Sequence, residues 1–208
     1  MDKKSPKFIT FEGIDGTGKT TQMEALKEYL ISKGYKVTTT REPGGTKGCE
    51  KIRDIVLHEE FIPEVQLMLF QAARLEHLDK IVIPALKDGH IVLCDRFLDS
   101  TIAYQGRTIP EQNIRQIHKL TTSRFREGGF FPDLTFLLTL DPNESAKRIL
   151  ARHESNVFDN QSLSEFVKIQ NNFLEIAKKV PDRVKTVSTD GAKEETFVKI
   201  QNIIDKAL

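Results

Sequence analysis

Cysteine is scarce in this chain of 208 residues, and the two that occur form no recognisable pair. Cys49 and Cys94 show neither a Cys-x-x-Cys spacing nor the pattern of a cysteine-ligated metal. Cys94 lies inside the apolar run HIVLCD, which predicts a buried strand residue. Histidines are equally dispersed, and none has the His-x-x-x-His spacing of a zinc site. A disulfide scaffold and a thiolate or imidazole metal centre are therefore not indicated.

An excess of charge of one sign is also missing. Lys+Arg total 31 and Asp+Glu 30, for a formal net charge of +1. General binding to nucleic-acid polymers or membrane surfaces is therefore not indicated, and any cationic site must be local. No apolar run approaches the roughly 18 residues that suggest a membrane span, and no secretion-type apolar segment precedes the first strand pattern. We expect a cytoplasmic protein.

Beta-type runs alternate with helical patterns along the whole chain. The strands are predicted at KFITFE, YKVTTT, HIVLCD, LTFLLTL and VKTVST. The helices are predicted at residues 19–33, 47–58, 63–87, 110–127, 142–152, 162–179 and 193–207. This alternation favours an α/β fold with a five-stranded parallel sheet flanked by helices on both faces. No break in composition marks a linker, so we expect a single domain over residues 1–208.

The segment GIDGTGKT, from Gly13 to Thr20, fits the pattern G-x-x-x-x-G-K-[ST] between a predicted strand and a predicted helix. Glycines let the backbone wrap around phosphate oxygens, and the helix N-terminus adds its positive dipole end. Lys19, which we expect to be a surface cation, can reach the β- and γ-phosphates, and the Thr20 hydroxyl can bind Mg²⁺. A P-loop of this kind is shared by kinases, GTPases, transport ATPases and ATP-driven ligases. No Asn-Lys-x-Asp sequence for reading guanine occurs.

Further polar residues follow the other strands, at the edge where active groups gather in such sheets. Arg41 stands in TREPGGT after the second strand, and Asp95 and Arg96 end the third. Because adjacent strand residues point to opposite sides, we expect Asp95 to face a metal and Arg96 a second phosphate. Phe70 and Arg74 are four residues apart on one helix face, an arrangement suited to a flat base.

Five segments together resemble the thymidylate kinases, in order and spacing and over nearly the whole chain. They are FEGIDGTGKTTQ, TREPGGT, FQAARLEH, DRFLDSTIAYQG and PDLTFLL. The resemblance implies a P-loop kinase fold that transfers the γ-phosphoryl group of ATP to dTMP with Mg²⁺, giving dTDP for dTTP synthesis. It also implies a homodimer.

The resemblance implies a role for each matching residue. For ATP these are Gly13, Asp15, Gly16, Thr17, Gly18, Lys19, Thr20, Thr21 and Arg148; for Mg²⁺ they are Thr20 and Asp95. For dTMP they are Asp15 on the sugar, Arg41 and Arg96 on the phosphate, Phe70 and Arg74 on thymine, and Ser100, Thr101, Tyr104 and Gln105 around base and sugar. The catalytic residues would be Lys19, Asp95, Arg96 and a lid arginine.

The lid arginine is where this chain departs from the family pattern. Thymidylate kinases are expected to supply it from the P-loop or from a lid after the fourth strand, and the P-loop position here is Gly16. The lid, about residues 148–160, offers Arg152, which we expect to be catalytic, with Arg148 in support. Relatives with this P-loop carry a further arginine where this chain reads NVFD.

Two other functions stay open from the residues alone. One is a P-loop phosphotransferase for a different nucleoside monophosphate, and the other is an interaction module gated by nucleotide. A phosphate monoester needs no general base, since its second pKa of about 6 leaves it mostly dianionic at pH 7. Cations on both substrates are needed instead, and Lys19, Arg41 and Arg96 favour the enzyme. No nucleic-acid polymer and no membrane is expected as a partner.

Overall fold

A computed structural model describes residues 7–150 and 162–208, and these contain one five-stranded sheet. Its strands are Phe8–Glu12 (β1), Val37–Arg41 (β2), Ile91–Asp95 (β3), Leu134–Thr139 (β4) and Val184–Ser188 (β5). They lie in the order β2-β3-β1-β4-β5, and every neighbouring pair is parallel. The predicted α/β class and the five-stranded parallel sheet are confirmed.

Helices connect the strands and cover both faces. They are Lys19–Ser32 (α1), Lys47–His58 (α2), Pro63–His77 (α3), Ile83–Lys87 (α4), Leu98–Gln105 (α5), Glu111–Thr122 (α6), Pro142–Leu150 (α7), Leu163–Lys179 (α8) and Lys193–Ala207 (α9). A π-helical turn, Leu78–Val82, joins α3 to α4 and ends two residues before Pro84, which has no amide hydrogen to donate. No described helix has the length and apolarity needed to cross a membrane.

The helix α5 was not predicted from the sequence. Its segment LDSTIAYQ contains hydroxyl and β-branched side chains of modest helix propensity. Seven of its eight residues are buried, so it lacks the polar face that gives a surface helix its periodic pattern. The predicted helix over residues 110–127 is also shorter than expected and ends at Thr122.

Alternation along the strands sends side chains into two apolar cores. In β1, Ile9 and Phe11 pack on the face covered by α1 and α9, whereas Phe8 packs on the face covered by α3, α5, α6 and α8. Thr10 and Glu12 lie two and four residues after Phe8 and therefore point to the same face of the sheet. On that face Thr10 Oγ1 lies 2.7 Å from Thr135 Oγ1. A fully buried carboxylate, Glu12, therefore ends the central strand on the α5 side.

A buried histidine in α6 joins this second core. His118 Nε2 lies 2.7 Å from the Phe130 carbonyl oxygen, so Nε2 carries the hydrogen and donates it. The imidazole meets the rings of Phe97 and Phe131 edge-on, with centroids 5.6 and 5.1 Å away. Burial, followed by the charge of Arg74, lowers the pKa of His118 to about 4. The ring is therefore neutral in the folded protein at neutral pH.

We expect His118 to make stability fall as the pH is lowered from about 6.5 to 4. The unfolded chain binds a proton near pH 6.5, while the folded chain resists it down to a pKa of about 4. The free energy of unfolding should therefore drop by about 3 kcal/mol across this window. His118→Gln keeps a donor for the Phe130 carbonyl and should flatten the pH dependence measured by urea titration. The exposed His58→Gln is the matched control, and equal slopes for all three proteins would contradict the assignment.

Candidate functional site

The P-loop, residues Gly13–Thr20, packs too closely against the rest of the fold for side chains at two of its glycines. Gly13 has φ 136°, and a Cβ there would lie 2.3 Å from the Leu138 carbonyl oxygen. Gly16 has φ 81°, and a Cβ there would lie 2.9 Å from the Ser145 carbonyl oxygen. The loop therefore packs directly against the end of β4 and the first turns of α7.

Lys19 lies beneath this loop, and the expectation of a surface cation was wrong. Its side chain is 7% exposed, and Nζ donates to the carbonyl oxygens of Gly13 and Ile14 at 3.2 and 3.0 Å. Asp15 Oδ1 is 3.8 Å from the same nitrogen. Burial, followed by the charge of Arg96, lowers the pKa of Lys19. The ammonium group is held in one place by the loop that it supports.

Arg96 is not a strand residue, so the alternation predicted for Asp95 and Arg96 does not apply. The strand β3 ends at Asp95, and Arg96 has a left-handed φ of 68° that turns its side chain back over the P-loop. Nη1 donates to the Gly13 carbonyl oxygen at 3.1 Å, and Nη2 donates to Asp15 Oδ1 at 2.7 Å. Burial opposes its charge, but Asp15 and the other acidic groups nearby together outweigh burial and hold the pKa of Arg96 well above its usual value.

A cleft opens beside the P-loop. Most side chains predicted for the substrate line it: Asp15, Phe70, Arg74, Arg96, Ser100, Thr101, Tyr104 and Gln105. Glu42, Pro43, Arg53, Leu57 and Phe97 complete the lining. The structure thus brings the P-loop, α2, α3 and α5 together around one space.

Arg41 is the predicted substrate residue that does not line the cleft. Its side chain is half exposed, and Nη2 donates to Glu50 Oε2 at 2.9 Å. Arg53 in α2 lines the cleft instead and donates from Nη1 to the Pro43 carbonyl oxygen at 3.0 Å. Sequence reasoning missed Arg53, although helical spacing from the buried Cys49 and Val56 places it on the inward face of α2.

Arg74 is fixed inside the cleft wall by three hydrogen bonds. It donates to Glu42 Oε2 at 2.7 Å, to Gln71 Oε1 at 3.2 Å and to Thr101 Oγ1 at 3.0 Å. Its guanidinium carbon lies 4.7 Å from the centre of the Phe97 ring. Burial would raise the pKa of Glu42, but Arg74 and His77 outweigh burial and lower it. The guanidinium direction is therefore set before any ligand arrives.

Two buried carboxylates behind the cleft were missed from the sequence. Glu12 accepts from the Phe97 amide at 2.8 Å and from the Ser100 hydroxyl at 2.5 Å. Burial, followed by the nearby Asp99, raises the pKa of Glu12 to about 7. Asp99 itself accepts two hydrogen bonds from Arg183, at 2.7 and 2.9 Å. The signal for Glu12 was its spacing of two and four residues from Thr10 and Phe8. This spacing predicts that its side chain points to the same buried face of the sheet.

The residues expected to hold Mg²⁺ lie side by side. The Thr20 hydroxyl donates to Asp95 Oδ2 at 3.4 Å, and buried Asp95 Oδ1 has no hydrogen-bond partner in the described part of the chain. Within residues 7–150 and 162–208, no cluster of three His, Cys, Asp or Glu side chains forms a metal site. A hydroxyl and a carboxylate beside a P-loop fit Mg²⁺, which keeps several waters and takes phosphate oxygens as its other ligands.

The remaining predicted ATP residues lie at the ends of α1 and α7. Thr17 Oγ1 donates to the Ile14 carbonyl oxygen at 2.9 Å, and Thr21 is exposed in the first turn of α1. Arg148 in α7 donates from Nη1 to the Gly16 carbonyl oxygen at 3.2 Å. Arg152 and most of the predicted lid lie outside the described residues.

Comparison with known proteins gives a consistent result. Residues 11–200 match the family model described as thymidylate kinase. A thymidylate kinase of Rickettsia typhi is 45% identical over 181 residues, covering 87% of this chain and 88% of that protein. One from Rickettsia africae is 40% identical over 205 residues, covering 99% and 98%. A crystal structure of thymidylate kinase from Ehrlichia chaffeensis has a TM-score of 0.77 at 35% identity, covering 97% of this chain and 100% of that one.

The contact between Gly16 and Ser145 generates a stability prediction with an internal control. Gly16→Ala and Gly18→Ala both force a left-handed alanine, since φ is 81° and 84°, but only Gly16 has atoms within 4 Å of the added Cβ. Gly18→Ala should cost about 1 kcal/mol from backbone strain alone. Gly16→Ala should cost clearly more because the Ser145 carbonyl must move. Thermal unfolding measures both, and equal losses would contradict close packing of α7 on the loop.

Proposed function

Because the chain belongs to the thymidylate kinase family, we propose that it transfers the γ-phosphoryl group of ATP to dTMP with the help of Mg²⁺. The supporting observation is the cleft beside the P-loop, whose lining combines Arg53 and Arg96 with Phe70 and Arg74. A nucleotide-gated module would have no use for that second site. A kinase needs it for its acceptor.

The acceptor phosphate is assigned to the end of the cleft where Arg53 and Arg96 lie. Arg96 donates hydrogen bonds to the Gly13 carbonyl of the P-loop and to Asp15. Its charge therefore lies between the proposed binding sites of ATP and dTMP. A phosphate oxygen of dTMP attacks the γ-phosphorus, the bond to the β–γ bridging oxygen breaks, and ADP leaves. No general base is needed, because the attacking oxygen carries no proton at neutral pH. Phosphate binding by Arg41, which lies at the rim of the cleft beside Glu50, stays a prediction.

The base and sugar are assigned to α3 and α5. Arg74 is held by Glu42, Gln71 and Thr101, and we propose that it donates to a thymine carbonyl while Phe70 stacks on the ring. Ser100, Thr101 and Gln105 lie on the base side. Tyr104, whose ring centre is 5.4 Å from the Arg96 guanidinium carbon, packs against the sugar where a ribose 2′-hydroxyl would stand. We assign Asp15 to accept a hydrogen bond from the 3′-hydroxyl of the sugar.

The ATP side is assigned to the P-loop and the start of the lid. Loop amides and Lys19 hold the phosphates, Thr20 and Asp95 hold Mg²⁺, and Arg148 extends the site from α7. When bound, Mg²⁺ neutralises charge on the phosphate oxygens. Arg152 stays the proposed catalytic lid arginine, and charge of this kind can be worth roughly 10³–10⁵ in kcat.

We also propose a cytoplasmic homodimer. Val65 and Met68 on α3 are 39% and 53% exposed, and they lie three residues apart on one helix face. Ile55 of α2 and Leu120 of α6 are also exposed, and both helices pack against α3. Exposed apolar side chains on adjacent helices suit a two-fold interface in which the same surface serves both copies. Both cysteines are buried free thiols, which suits a reducing compartment.

The proposed function is tested by measuring ADP release from ATP·Mg²⁺ with each nucleoside monophosphate in turn. We expect the highest kcat/KM with dTMP, because Arg74 and Phe70 form a preset base site. Lys19→Ala should lower turnover at least about 10²-fold by removing charge from the transferring group. Preference for another monophosphate would support the alternative phosphotransferase, and ATP binding without turnover would support the interaction module.

The assignment of the acceptor phosphate is tested by a matched pair of arginines. Arg53→Ala should raise KM for dTMP roughly tenfold or more, because a charge-assisted hydrogen bond is worth about 1.5–3 kcal/mol. Arg41→Ala removes the same side chain outside the cleft and should raise that KM far less. KM for ATP should change little in both variants. A larger increase of KM for dTMP in Arg41→Ala than in Arg53→Ala would instead assign the acceptor phosphate to Arg41 at the rim of the cleft.

A further inference from the structure

Arg96 adopts a backbone conformation that arginine does not adopt without support. A left-handed residue other than glycine is strained and persists only where its surroundings determine it. The Arg96 amide donates to the Phe11 carbonyl oxygen at 2.9 Å, which fixes the residue on its N-terminal side. The next amide, that of Phe97, donates to Glu12 Oε1 at 2.8 Å. Two consecutive residues of β1 therefore hold the turn in which Arg96 lies.

Glu12 also reaches the guanidinium end of Arg96 through one intermediate. Glu12 Oε2 accepts the Ser100 hydroxyl hydrogen at 2.5 Å, which leaves the Ser100 oxygen free to act as an acceptor. Arg96 Nη1 donates to that oxygen at 2.9 Å and to the Gly13 carbonyl at 3.1 Å. One carboxylate thus fixes both the backbone after Arg96 and the hydroxyl that receives its side chain.

We propose that Glu12 is a positioning residue for the acceptor phosphate, which directs the Arg96 guanidinium through the Phe97 amide and the Ser100 hydroxyl. Glu12 lies beneath the turn and is fully buried, so it touches no substrate itself. The inference rests on the proposed function, in which Arg96 binds the phosphate of dTMP. It assigns the buried glutamate at the end of the central strand to substrate recognition as well as to packing.

The test compares equilibrium binding of dTMP and of thymidine, which lacks the phosphate, in the absence of ATP. Glu12→Gln keeps the size of the side chain and an oxygen for the Phe97 amide. The comparison is made at pH 8, above the Glu12 pKa of about 7, where the wild-type carboxylate is mostly ionised and the variant lacks the charge that accepts both hydrogen bonds strongly. It should weaken dTMP binding about tenfold, the scale of one lost charge-assisted hydrogen bond. Thymidine binding should weaken clearly less, because Arg74 keeps its hydrogen bonds to Glu42 and Gln71, which lie outside this turn.

A double-mutant cycle separates positioning from general damage. In an Arg96→Ala background, Glu12→Gln should cause no further loss of dTMP affinity, because its effect passes through Arg96. Asp99→Asn in α5 is the matched control, because it breaks the buried pair with Arg183 and leaves both hydrogen bonds of Glu12 in place. Since Asp99 also raises the pKa of Glu12, this variant too is measured at pH 8, where Glu12 is mostly ionised. It should lower the Tm and leave the ratio of dTMP to thymidine affinity unchanged.

Three results would overturn the inference. They are equal weakening of dTMP and thymidine by Glu12→Gln, an undiminished effect in the Arg96→Ala background, and the same change of ratio in Asp99→Asn. Should the wild type release no ADP with dTMP, the proposed function fails first and the inference falls with it. Failure of the proposed function is measured as missing ADP release by the wild type, whereas failure of the inference is measured as the binding affinities of the variants. The two failures are therefore distinguishable.

Discussion

Mutual repulsion of cations is the constraint on which the cleft depends. Arg53, Arg74 and Arg96 line the cleft, and Lys19 lies beneath the adjoining P-loop. Like charges repel more strongly in a partly buried site than in water. Carboxylates hold them apart: Asp15 lies against both Lys19 and Arg96, and Glu42 holds Arg74. Each cation thereby has a fixed direction before a ligand binds. Such preorganisation matters for phosphoryl transfer, in which the protein contributes mainly position and charge.

The sheet order explains how these groups come together. β1 is the central strand, paired with β3 and β4, and its carboxyl end leads into the P-loop. The next residue after β3 is Arg96, so the P-loop and the turn that contains Arg96 begin on adjacent strands. Glu12 and Asp95 end these neighbouring strands, and a carboxylate is thus available on each side of the P-loop. Parallel pairing makes this convergence automatic, because all carboxyl ends meet at one edge.

Most of the fold could be predicted from local patterns, and the exceptions have local causes. Strands and long helices follow from hydrophobic periodicity, which depends on near neighbours in the chain. The helix α5 did not show such a pattern, because it is buried on nearly all sides. Strand alternation was the wrong reason for the direction of Arg96, because it was extended one residue past the end of β3 into a left-handed turn, although Arg96 does line the cleft.

Residue types at short spacing were enough to predict the P-loop, the α/β class, the family resemblance and most side chains of the cleft. Local backbone geometry follows from such patterns. They do not show that Lys19 is buried, that Arg53 and not Arg41 lines the cleft, or that Glu12 holds the turn of Arg96. These arrangements depend on residues that are far apart along the chain. Glu12 and Phe97 are 85 residues apart, and such partners meet only when the sheet assembles.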